Sequence, residues 1–89
     1  MHVNDENDFV LLRKQFAEWR RRFPMFVHDV KTIEKIVEEH IKKHSIALVN
    51  YRQTHGKNHL EQAQRELDEI NRIVNTVEKI ELMSLLSRG

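Results

Sequence analysis

Between Asp29 and Leu86 the chain holds no proline and a single glycine, Gly56, and on both sides of that glycine apolar residues recur at helical spacing. The pattern predicts two long amphipathic helices folded back on each other. In the first, Val30, Ile33, Val37, Ile41, His44, Leu48, Tyr51 and His55 follow one stripe, with Ile36, Ala47 and Val49 widening it. Glu34, Lys35, Glu38, Glu39, Lys42 and Lys43 take the wet side. In the second, Leu60, Ala63, Leu67, Ile70, Val74 and Val77 form a heptad seam. The seam loses register at Glu81 and Ser84, where Ile73, Ile80, Leu82, Met83, Leu85 and Leu86 shift the apolar face. His55-Gly56-Lys57-Asn58 is the expected turn, with Gly56 left-handed at a helix end and Asn58 capping the next helix through a capping box with Glu61. The competing arrangement is one uninterrupted helix through Gly56, which costs only about 1 kcal/mol relative to alanine.

Ahead of the hairpin, Phe9, Leu12, Phe16, Trp19 and Phe23 lie three and four residues apart, which lays four aromatic rings and a leucine along one side of a shorter helix. Asn4 or Asp5 is placed to cap its start, and the acids Asp5, Glu6 and Asp8 suit the positive end of its dipole. Arg20, Arg21 and Arg22 suit the negative end, and Pro24 stops it by restricting Phe23. The link Pro24-Met25-Phe26-Val27-His28 is apolar, so it is expected to be packed, as a tight corner or as the first turn of the next helix with Pro24 at its opening position. The helices are therefore expected at about residues 6–22, 26–54 and 58–87 of one all-α domain spanning 1–89. Its architecture is a long antiparallel helical hairpin with a short N-terminal aromatic helix, like a bundle or coiled coil.

The aromatic stripe has two readings. It packs on the hairpin and completes a three-helix core, or it is a docking face, since Trp is enriched at interface hot spots. A helix of about 25 residues is some 38 Å long, and the first helix covers only half of that, so part of the seam is left needing another helix. Another helix of the same chain, a second copy or an obligate partner is expected to supply it. The candidate interface residues are Phe9, Leu12, Phe16, Trp19, Phe23, Leu60, Leu67, Ile70, Val74 and Val77.

Composition narrows the partner. A third of the residues are charged but the formal net charge is only +1, so no strong field draws the chain to nucleic acid or an anionic membrane. There is no cysteine, hence no disulfide framework and no thiolate metal site, which fits a cytoplasmic or nuclear setting. The longest uncharged apolar run, Ser45 to Tyr51, is too short to cross a bilayer, and the first residues lack the basic-then-apolar order of a signal peptide. At 89 residues the core is small for its surface, and partner surface would support it.

Candidate chemistry is thin. His40 and His44, and likewise His55 and His59, have the spacing of residues that share a metal, but no glutamate follows His40 in the His-Glu-x-x-His manner and Lys42 and Lys43 repel a cation. These histidines read as structural, and those on the seam titrate near pH 6.5. Glu66, Asp68, Glu69, Glu78 and Glu81 alternate with Arg65, Arg72 and Lys79, the pattern of an ion-paired wet face and not of a catalytic carboxylate pair. With no phosphate loop and no nucleophile elbow, neither an enzyme nor a cofactor site is expected. Leu82-Met83-Ser84-Leu85-Leu86 fits the short Leu-x-x-Leu-Leu docking pattern, a match that leucine-rich helices make by chance.

From Phe26 through Val30, Ile33 and Val37 into Glu38-Glu39-His40-Ile41-Lys42-Lys43-His44-Ser45, then after a polar turn Leu67-Asp68-Glu69-Ile70 and Val74, the chain resembles the first two helices of the syntaxin N-terminal regulatory domain. The resemblance implies a three-helix antiparallel bundle that folds back on a fusion-driving helix and binds regulators of membrane fusion. The family's third long helix, fusion helix and membrane anchor have no counterpart in these residues, and the aromatic helix does not map onto it. The leading expectation is a non-catalytic helical module for protein–protein interaction, oligomerisation or scaffolding, partnered by itself or by another helix. A syntaxin-like regulator is the alternative, and nucleic-acid binding through Arg20, Arg21 and Arg22 comes third.

Overall fold

The computed structural model of the chain describes residues 1–87. Its elements are α1 (Phe9–Arg22), α2 (Val27–Thr54) and α3 (Lys57–Ser87), with single 3₁₀ turns at Glu6–Asp8 and Pro24–Phe26. The fold is all-α: α2 and α3 form the long antiparallel hairpin and α1 packs on one flank of it.

The acidic lead caps as its composition suggests, though through a 3₁₀ turn. Asp5 Oδ1 accepts from Asn7 N at 2.9 Å, and Asp8 Oδ2 accepts from Asn4 N at 2.8 Å. α1 stops where proline requires. Phe23 leaves the helical region at φ −122° and ψ 66°, its N–H donating to Trp19 O, and Pro24 opens the next 3₁₀ turn at a position where its missing N–H costs nothing.

Two local expectations are corrected. Met25 and Phe26 in the apolar link are 90% and 58% exposed, so the corner is not packed within the chain. Val30 and Val37 of α2 turn towards α1 and α3, and although Val77 and Ile80 of α3 approach Phe26, they leave it and Met25 uncovered. At the hairpin turn the left-handed residue is His55, at φ 56° and ψ 23°, and not Gly56. His55 N donates to Tyr51 O, closing α2, while Gly56 donates to Thr54 Oγ1 and accepts from His59 N, which starts α3. Asn58 lies inside α3, and no Asn58–Glu61 capping box forms among the described residues.

α1 runs antiparallel to α2 and parallel to α3. Phe9 meets His44, Arg13 meets Glu38 and Arg20 meets Glu34 along one helix, while Trp19 and Arg22 both reach Glu81 on the other. The core is thus a three-way seam: Phe9, Leu12, Phe16 and Trp19 from α1, Val30, Val37 and Ile41 from α2, Leu67, Ile70 and Val74 from α3. Leu12, Ile70 and Val74 are fully buried. Deleting side chains of this size from such a seam costs about 2 to 5 kcal/mol each.

With 14 residues against 28 and 31, α1 covers about half the hairpin. The molecule is a rod of 53 × 19 × 18 Å with a radius of gyration of 15.0 Å. A globular chain of this length has a radius near 12 Å. Its accessible surface is 6364 Å². Monomeric proteins of this mass expose about 5500 Å². The excess of about 850 Å² goes with the elongated shape.

Candidate functional site

The aromatic stripe is closed inside the chain. Phe9, Leu12, Phe16 and Trp19 are buried and Phe23 half-buried, with Phe16 and Trp19 edge to face at 5.1 Å. In the second seam Leu67, Ile70 and Val74 are buried, Val77 is half-buried and Leu60, beyond the reach of α1, is 41% exposed. Apart from Leu60 the two sets therefore meet each other within one molecule, and Val77 also borders exposed apolar surface.

Ion pairs fasten α1 in place. Arg13 makes a two-pronged bond to Glu38 at 2.8 and 3.1 Å, and this contact raises the already high pKa of the guanidinium. Arg20 pairs with Glu34 and Arg22 reaches Glu81, while Arg21 pairs with Glu18, whose carboxyl it holds below the ordinary value. All three arginines of the last turn have carboxylate partners. Arg20 and Arg22 link α1 to α2 and α3, whereas the Arg21–Glu18 pair lies within α1.

The histidines diverge. His40 Nδ1 lies 2.6 Å from Oε2 of the buried Glu66, whose other oxygen accepts from Gln62 Nε2 at 2.7 Å. His44, one turn on, points into the core: it is 3% exposed, meets the Phe9 ring edge-on at 5.3 Å, and its Nδ1 has no hydrogen-bond partner. Burial lowers its pKa, opposed by the more distant charges of Glu6, Glu66 and Asp5. His55 stands edge-on to Tyr51 at the turn. Among the described residues no cluster of three His, Asp or Glu side chains is arranged to hold a metal ion.

On the flank away from α1 a groove runs between α2 and α3. α2 meets α1 through Glu34, Glu38 and His44; at 100° per residue Ile36, Lys43 and Ala47 turn away from α1, and Ile33 lies between the two faces. Towards the turn the groove is mixed, with Lys43, Asn50, His59, Gln62 and Glu66 around Ile46 and Ala47. Towards the open end it is apolar: Ile33, Ile36, Ile73, Val77 and Ile80 enclose about 230 Å³, with Arg72 and Thr76 on the rim. A smaller recess beside it is walled by Phe23, Phe26, Val30, Val77 and Ile80. Phe26, 58% exposed, carries the recess into the interhelical corner. The drift of the apolar face after Val77 marks this surface in the sequence, but nothing there signals that Phe26 joins it.

A second site lies on the opposite flank and had no sequence signal. Residues 1–4 run back along α3, antiparallel to it. Val3 is 1% exposed, and buried Asn71 grips its backbone from both sides: Oδ1 accepts from Val3 N at 2.7 Å and Nδ2 donates to Val3 O at 2.8 Å. The Met1 nitrogen lies 2.6 Å from Glu78 Oε2, two turns further along α3. No helix among the described residues is long and apolar enough to cross a membrane. No protein-family model matches this chain, and no curated protein or solved structure is significantly similar to it.

Proposed function

We propose that the chain is a non-catalytic helical assembly module, acting in the cytoplasm, whose α2–α3 groove pairs with the same groove of a second copy. The observation that carries this reading is the apolar open end of the hairpin, where Ile36 and Ile80 stand 47% and 59% exposed over a floor of Ile33, Ile73 and Val77. Contiguous apolar surface of this kind marks an interaction site in a soluble protein. The excess exposed surface, about 850 Å², matches the roughly 800 Å² that one partner contributes to a standard stable interface. A two-fold axis across the apolar half sets Ile36 and Ile80 of one copy against the same patch of the other and leaves the mixed half in water. The formal charge of +1 offers little repulsion to such pairing.

Sedimentation equilibrium over a wide concentration range tests the reading. The wild-type chain is expected to dimerise, and Ile36→Glu and Ile80→Glu, each at an exposed position, are expected to give helical monomers. A wild-type monomer at every concentration would sink the proposal. A second reading, the syntaxin-like regulator, is supported by the antiparallel pairing of α2 and α3, the two helices that carry the resemblance. It is separated from the first by binding of an isolated fusion helix to a chain that stays monomeric.

A further inference from the structure

The contacts of Val3 are those by which proteins read an extended peptide independently of its sequence. A primary amide offers one acceptor and one donor in a plane, the complement of the N–H and C=O of a single extended residue. Asn71 presents that pair from a helix, is itself 7% exposed, and has both halves engaged by Val3 alone. Burying an amide so thoroughly is unfavourable unless a backbone is there to meet it. The Val3 side chain enters the same apolar cluster as Ile70 and Val74. One step outward, Glu78 faces a positively charged nitrogen two residues before Val3, and the two α3 residues, seven apart, lie on one stripe. His2 and Asn4, which alternate with these contacts, point into solvent and are exposed, as an extended chain lying on a surface requires.

We propose that the α3 stripe from Asn71 to Glu78 is a binding site for an extended peptide of another protein, filled in this structure by the chain's own residues 1–4. The ligand presents a free amino terminus to Glu78 and an aliphatic third residue, gripped through its backbone by Asn71. The seated segment defines this chemistry and acts as an internal competitor, so a partner peptide binds only as residues 1–4 leave. The site is independent of the α2–α3 groove, which lies on the other flank of the hairpin.

The test uses the full chain and a labelled synthetic peptide, Met-His-Val-Asn-Asp, with binding read by fluorescence anisotropy and folding by circular dichroism. Val3→Asp, which places a charge where the cluster is apolar, ejects the segment; Val3→Gly weakens it while leaving the backbone free to bond. Both variants are expected to bind the peptide at least tenfold more tightly than the wild-type chain. Adding Asn71→Ala to either is expected to weaken peptide binding by tenfold or more, the worth of two hydrogen bonds near 0.7 kcal/mol each. Folded Val3 variants that ignore the peptide, or bind it equally well without Asn71, would overturn the proposal. So would loss of helicity in both variants, which would make residues 1–4 a fixed part of the core. Capture of intact wild-type chain, but not of free peptide, would assign the site to a second copy and overturn it too.

Discussion

At the scale of single residues the consequences of the core are steep. Trp19 and Phe16 are each 1% exposed and in edge-to-face contact, so replacing either with alanine is expected to cost about 3 to 5 kcal/mol. Urea denaturation of a chain this small would register that as near-complete loss of the folded state. His44 gives a different signature. Burial holds its folded pKa below the ordinary 6.5, so folding favours the neutral ring. The stability tied to that neutrality is complete above the unfolded value of 6.5 and is lost as pH falls through the lower folded value. Thermal melts are therefore expected to shift downward between pH 7.5 and 5.5. His44→Leu, which removes the unpartnered Nδ1, is expected to raise the melt at pH 7.5 and to flatten the pH response; a His44→Leu melt as pH-sensitive as the wild type would contradict this. The aromatic stripe was legible because its period of three and four is local. Val3 was not: one valine between His2 and Asn4 has no period, and the partner that buries it is 68 residues away.

At the scale of elements, the three helices and their order were written in the hydrophobic pattern, and their ends in Pro24 and in the break at Gly56. The detail of the turn is not, because glycine takes positive φ most readily and the pattern assigns that conformation to Gly56. His55 takes it instead, at φ 56°, a conformation that costs a non-glycine residue about 1 kcal/mol or more. A Cβ at Gly56 would lie 2.7 Å from Oδ1 of the exposed Asn58 and 3.2 Å from the His59 ring, so the Asn58 side chain must rotate away to admit one. His55→Gly is accordingly expected to raise stability by about 0.5 to 1 kcal/mol, less whatever the Tyr51 ring contact contributes. Gly56→Ala is expected to gain nothing. Parallel denaturation curves of the two variants would reveal the asymmetry, and a stabilising Gly56→Ala beside a destabilising His55→Gly would reverse the assignment.

At the scale of the whole molecule, the mismatch between a 14-residue helix and two partners of 28 and 31 residues sets both the rod shape and the uncovered groove. Helix lengths were readable from the sequence, and so was the shortfall. Which flank α1 would choose was not, since the apolar residues of α2 wrap around to both sides of Ile33. If two grooves pair, unfolding is linked to dissociation, and the wild-type melting temperature is expected to rise with protein concentration while that of Ile80→Glu stays constant. The clasp between Val3 and Asn71 also orders events in time. At the usual 5 to 20 residues per second, roughly 3 to 14 s of translation separate the making of Val3 from the making of the amide that holds it. Until α3 has been made, Val3 has no amide to meet, so the first residues of the chain wait on its last quarter.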